Sequence, residues 1–234
     1  MLSDVSCSLE AGETVVVTGR NGSGKSTLLR VLAGQLPIGR GSVRQRPPVV
    51  GFLPERFPVA QPFTARGYLL AMASVRGLSR HAAVRGIGQW SERLALDEYL
   101  NTPLRDLSKG SAQKVNLVQA LLEPPGLLVM DEPWEGLDVQ TQAEIPAIIA
   151  EVAAAGGSVV VTDHRNRITD IDLTSRWQVG GGGLTQTQVG WARGDLHVIE
   201  VLSGTDDVQG TMARLTADGY EVRGTRPLKE GEAP

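Results

Sequence analysis

Gly19-Arg20-Asn21-Gly22-Ser23-Gly24-Lys25-Ser26-Thr27 is the stretch whose residue types and spacing point most directly to chemistry. Its spacing is G-x-x-x-x-G-K-[ST], that of a phosphate-binding loop. Glycines let successive backbone N–H groups turn inward and form a concave anion nest. A helix starting near Lys25 aims the positive end of its dipole at the same point. Lys25 adds a mobile positive charge for β- and γ-phosphates, and the Ser26 hydroxyl suits Mg²⁺. Gly19, Asn21, Gly22, Ser23, Gly24, Lys25, Ser26 and Thr27 are therefore the candidate nucleotide-binding residues.

Asp131-Glu132 follows directly on the apolar run Leu127-Leu128-Val129-Met130. A strand ending there sets the Asp131 carboxylate beside the phosphate loop, where it holds Mg²⁺ directly or through water. Glu132 is then the candidate base that polarises the attacking water. In isolation such a pair reads equally well as a solvated strand cap; the phosphate loop upstream tips the balance. Leu107-Ser108-Lys109-Gly110-Ser111 stands just before the helical pattern that leads to Asp131. Ser108, the Gly110 amide and the helix N-terminus behind them make a second phosphate site. Ser108 is also a good helix N-cap whatever the function.

The elements that must position these groups follow from periodicity. Residues 1–18 read as a short strand or edge, a turn at Ala11-Gly12, and the buried β-branched strand Thr14–Thr18. A helix runs from near Lys25 to Gly34, and Val49–Leu53 is the next strand. Apolar spacing of three and four predicts helices over 63–76 and 80–96, then a loop at 103–109 and a helix over 111–122. Leu127–Met130 is apolar throughout, as a parallel strand buried on both faces requires. Val139–Ala155 reads as helix, but Pro146 within it costs about 3 kcal/mol. The expectation is a kink, or a helix that begins at Pro146. Ser158–Thr162 is another buried strand, and 176–187 a hairpin around Gly180–Gly183. Strands alternating with helices give an α/β fold with a doubly wound sheet.

Residues 191–234 read as a small separate appendage: a strand at 196–202, a helix at 206–217, a strand at 220–225 and a mobile tail. At 234 residues the chain is one large domain with this appendage, and 41% hydrophobic residues suffice for a core. A formal net charge of −3 argues against nucleic acid as the main partner. The single cysteine, Cys7, rules out an internal disulfide framework and fits a reducing compartment. No stretch reaches the ~18 uninterrupted apolar residues of a membrane span, and the N-terminus lacks a signal-peptide pattern. The expected location is the cytoplasm, unless a partner carries the chain to a membrane.

Taken in order, these motifs resemble the ATP-binding subunit of ABC transporters over roughly residues 2–190. Leu107–Ser111 is similar to the family signature L-S-G-G-Q, with Ser108 and Gly110 in place. Glu135-Gly136-Leu137-Asp138 resembles the D-loop, and Thr162-Asp163-His164 the segment carrying the switch histidine. The resemblance implies a P-loop NTPase sheet with a helical subdomain inserted at about 56–115. It implies Mg²⁺-dependent ATP hydrolysis with Glu132 and His164 as catalytic residues and Ser26 and Asp131 as metal ligands. It also implies a head-to-tail dimer, with itself or a second ABC ATPase, in which Ser108, Gly110 and Asp138 serve the opposite chain's nucleotide. A transmembrane permease would hold the pair on the inner face of the plasma membrane, docked beside Glu55 in a groove walled by residues 63–96.

Glu135 departs from the D-loop, which normally reads S-G-L-D or S-A-L-D, and two further features depart from the family. Glu55, which the resemblance adds to the nucleotide-binding residues, stands where a glutamine is usual; it can ligate Mg²⁺ but adds negative charge near the γ-phosphate. Together with Gly51–Glu55 and the Ser108-Lys109-Gly110 variant, it resembles the exporter branch. No aromatic residue precedes Phe52, so either the front is truncated or the adenine is held loosely. A soluble regulatory module gated by nucleotide without transport is the alternative reading. ABC ATPases of DNA or ribosomes carry coiled coils, zinc modules or fused cassettes, and this sequence shows none.

Overall fold

A computed structural model describes residues 2–163, 171–189 and 207–217. The chain divides into two compact units, residues 1–190 and 191–234. The first holds β1 (Thr14–Thr18), α1 (Lys25–Leu32), β2 (Val50–Leu53), α2 (Ala65–Val75), α3 (Arg80–Arg93), α4 (Lys109–Leu121), β3 (Leu127–Met130), α5 (Val139–Ala154), β4 (Ser158–Thr162), β5 (Ser175–Gly180) and β6 (Gly183–Gln188). Short 3₁₀ turns at Asp97–Tyr99 and Leu104–Asp106 lead from α3 to α4. Of the second unit, α6 (Val208–Ala217) is described. The strands expected at 196–202 and 220–225, and His164, lie outside the described residues.

One sheet runs in the order β2-β3-β4-β1-β5-β6, parallel except for the antiparallel pair β5–β6. Successive strand residues point to opposite faces. Leu127, Val129 and Val160 accordingly join α1's Leu28 and Leu29 on one side. Leu128, Met130, Val159 and Val161 join α2, α3, α4 and α5 on the other. Both faces are covered, which is why these strands are apolar along their whole length. The β5–β6 turn is Gly181-Gly182, with φ of +58° and +85°, the two left-handed residues that a tight two-residue hairpin demands.

Three expectations are corrected. Residues 2–12 form no strand: the segment lies along the hairpin through Ser3 N–H to the Gly182 carbonyl and a side-chain amide exchange between Gln186 and Ser8. These scattered bonds do not make a ladder, although Val5, Cys7 and Leu9 still pack on the core. Helix α4 begins at Lys109 rather than at 111, because Ser108 caps it by accepting from the Ser111 N–H. Helix α5 does not begin at Pro146 but runs from the Asp138 N-cap to Ala154 with the proline inside it. Ile145, Ile148, Ile149 and Val152 are buried along it. At about 1.5–3 kcal/mol per buried side chain, they outweigh the one proline.

Helix α3 is clamped to α5 by Arg93, which meets Glu144 at 2.8 Å and Glu151 through two bonds of 2.8 and 2.9 Å. Its guanidinium also lies over Trp90, 5.3 Å from the ring centroid.

Candidate nucleotide site

The carboxyl ends of the parallel strands deliver the candidate residues to one edge. Register sets Thr162 opposite Val17 of β1 and Val161 opposite Met130 of β3. It also sets Met130 opposite Leu53 of β2. The residues that follow each strand, Gly19, Asp131-Glu132, Asp163 and Pro54-Glu55, therefore share this edge, where α/β sheets place their ligands.

The loop from Gly19 to Gly24 folds as the motif requires. Gly22 and Gly24 have φ of +78° and +109°, which glycine adopts at little cost. A Cβ on Gly19 would strike the Val179 carbonyl oxygen and the Ser23 hydroxyl. The Lys25 ammonium turns back over the loop, donating to the carbonyls of Gly19 at 2.9 Å and Arg20 at 3.4 Å. Leu2 packs against Gly24, where a Cβ would come within 3.0 Å of its side chain. Two features fit an anion here. Helices α2, α3, α4 and α5 are capped by Thr64, Ser79, Ser108 and Asp138, whereas no side chain caps α1. Its first-turn N–H groups are left for a ligand. In the same loop the Ser23 hydroxyl is buried without a hydrogen-bond partner.

Asp131 is buried, and Thr162 holds it. The Thr162 hydroxyl donates to Asp131 Oδ1 at 2.8 Å and accepts the Glu132 N–H at 2.8 Å. Glu132 itself has φ +52°, a strained conformation for a residue with a side chain. The importance of Thr162 is not visible in its own motif. It follows from register, which sets the residue after Val161 beside the residue after Met130. The donor set of the Ser26 hydroxyl and the Asp131 and Glu55 carboxylates is all oxygen, which fits Mg²⁺.

Ser108, Gly110 and Asp138 gather into a second cluster. A Cβ on Gly110 would lie 2.8 Å from the Gly136 carbonyl, so only glycine fits there. Lys109, which departs from the family's signature, and Glu135, which departs from its D-loop, face each other at 3.6 Å. Trp134 turns inward and is buried in the core. Lys114, in the Gln113-Lys114 pair that follows the signature, pairs with Asp138 at 2.7 Å. Among the described residues no hydrogen bond or ion pair joins 107–111 to the phosphate loop.

The Lys114 ammonium, and then the Thr141 N–H, hold the Asp138 carboxyl down to about 2. A depressed acid contributes stability above its unfolded value of ~3.9, and that contribution vanishes as pH falls through the folded value. Asp138→Asn keeps the helix cap and loses the charge. It should lower unfolding free energy by about 1 kcal/mol at neutral pH, after discounting for the exposed carboxylate. Urea unfolding at several pH values should show the difference closing between about pH 4 and pH 2.

An ABC transporter family profile matches residues 2–135, more than half of the chain. The chain belongs to the ABC transporter family. It is 40% identical over 168 residues to "Zinc import ATP-binding protein ZnuC" of Cereibacter sphaeroides, covering 70% of this chain and 66% of that protein. It is 33% identical to "Uncharacterized ABC transporter ATP-binding protein YhaQ" of Bacillus subtilis strain 168, covering 63% of this chain and 52% of the relative. The cassette thus spans less than two thirds of the length of these relatives. Among solved structures, one titled "Structure of ATP binding subunit of ABC transporter" superposes with a TM-score of 0.73 at 25% identity, covering 80% of this chain and 83% of the other. A dimeric ATP-binding cassette in a post-hydrolysis state with ADP and Pi shares the fold at a TM-score of 0.73 and 20% identity, covering 82% and 91%. The exporter expectation is not supported: the named function among these relatives is import.

Proposed function

We propose that this cassette binds and hydrolyses ATP to drive an ABC transporter, and that the direction is import, by analogy with the ZnuC proteins it resembles. The observation that carries the reading is the uncapped α1 behind a glycine loop, with Lys25, Asp131 and Glu132 on the same sheet edge. In this reading the loop amides and Lys25 bind the β- and γ-phosphates, while Ser26, Asp131 and Glu55 hold Mg²⁺, which neutralises phosphate charge when bound. Glu132 takes the proton of the attacking water, and His164 senses the γ-phosphate. A transmembrane permease carries the pair of cassettes at the inner face of the membrane. Among the described residues no helix is long and apolar enough to span a bilayer.

The catalytic site is shared in this reading. Gly110 lies against the Gly136 carbonyl and Asp138 pairs with Lys114 of α4, and among the described residues no hydrogen bond or ion pair joins Ser108, Gly110 or Asp138 to the phosphate loop, which supports their serving a second chain. ATPase rate per molecule should therefore rise with protein concentration through the dimerisation range, and vanish when Mg²⁺ is chelated. A specific rate unchanged by dilution across that range would refute the shared site.

A further inference from the structure

Three amide side chains, Gln113, Asn116 and Gln119, stand at every third position of α4, and all are buried. A buried amide is costly unless bonded. Gln119 Nε2 donates to the Phe52 carbonyl at 2.9 Å, and Asn116 Nδ2 to the Pro54 carbonyl at 3.0 Å. The amides also bond each other: Asn116 Nδ2 reaches Gln113 Oε1 at 3.3 Å, and Gln119 Nε2 reaches Asn116 Oδ1 at 3.5 Å. Strand β2 is an edge strand, and its Leu53 carbonyl accepts the Asp131 N–H on the inner side. The Phe52 and Pro54 carbonyls face the other way, and α4 supplies the donors that a missing strand would have given.

The two bonds differ in what they hold. Phe52 is already fixed within β2. Pro54 is where the chain leaves the sheet toward Glu55, whose side chain is half exposed and 3.9 Å from Arg56. Among the described residues, the Asn116 bond is the hydrogen bond that reaches the backbone of residues 54–57. The ring of Phe57, edge-on to Tyr68 at 5.2 Å, anchors the far side.

We propose that Asn116 is a positioning residue of the nucleotide site: by fixing the chain at Pro54 it sets where the Glu55 carboxylate stands. The inference rests on the reading of Glu55 as a Mg²⁺ ligand. It also means that α4, whose first turn presents Ser108 to one nucleotide, steadies the Glu55 that serves another.

The test uses the full chain carrying Glu132→Gln, loaded with ATP, with Mn²⁺ affinity read by electron paramagnetic resonance. Asn116→Leu should weaken Mn²⁺ roughly tenfold, the scale of a lost partner behind a metal ligand, with ATP affinity in metal-free buffer unchanged. In the presence of Glu55→Ala, which removes the carboxylate altogether, it should weaken Mn²⁺ no further. Gln119→Leu removes the same chemistry from Phe52; it should lower thermal stability and leave Mn²⁺ affinity as it was. Asn116→Ala serves the same purpose if the leucine variant does not fold. Parental Mn²⁺ affinity in the Asn116 variants overturns the proposal, as does a loss that adds in full to that of Glu55→Ala. A Glu55→Ala variant that binds Mn²⁺ like its parent overturns the reading of Glu55, and the proposal with it.

Discussion

Glu132→Gln will leave a cassette that still binds ATP but releases phosphate about 10²–10³-fold more slowly. The amide keeps the length and shape of the carboxylate, and the backbone bond from the Glu132 N–H to the Thr162 hydroxyl, at φ +52°, does not depend on the charge. Phosphate contacts from the glycine loop and Lys25 are untouched, so the change falls on the chemical step. With turnover blocked, ATP should hold two chains together, and gel filtration in ATP should show the variant as a dimer. Phosphate release at the native rate would move the base elsewhere, with Asp163 at the end of β4 the first group to examine.

Thr162→Val should damage both stability and metal dependence. Valine keeps the β-branched shape that the fully buried strand position requires. It removes the one hydroxyl that satisfies both the Glu132 N–H and Asp131 Oδ1. Two buried polar atoms are then left unpaired, at about 1–3 kcal/mol each. At roughly 2–4 °C per kcal/mol for a chain of this size, the midpoint should fall by about 4–24 °C. Asp131 also loses the bond that orients it, so the Mg²⁺ concentration for half-maximal ATPase should rise at least about tenfold. Thr162→Ser restores the hydroxyl and should recover most of both losses. Native Mg²⁺ dependence in Thr162→Val would show that Asp131 does not need this bond.

The candidate site residues were legible because a phosphate-binding loop constrains sequence locally. A backbone nest needs glycines at fixed spacing, and a helix must follow at once, so Gly19–Thr27 could be read without a fold. The strands were legible for a related reason: a parallel sheet covered on both faces demands uninterrupted apolar runs, as in Leu127–Met130. Pro146 misled because a local cost of about 3 kcal/mol was set against nothing. The isoleucines and Val152 that outweigh it count only once the helix is packed. Residues 2–12 misled in the opposite direction, since alternation suggests a strand while the available bonds are to a turn carbonyl and a side-chain amide.

What the sequence determined by itself was the family, the order of motifs and the α/β architecture, all carried by local pattern or spacing. The tertiary structure decided which distant residues answer one another. Thr162 holds Asp131, Lys114 meets Asp138, Lys109 faces Glu135, and Asn116 ties down Pro54. Each pair is separated by some 24 to 62 positions, and no periodicity links its members. Strand register and the seating of α4 against β2 bring them within reach, because hydrogen bonds and ion pairs depend on distance in space.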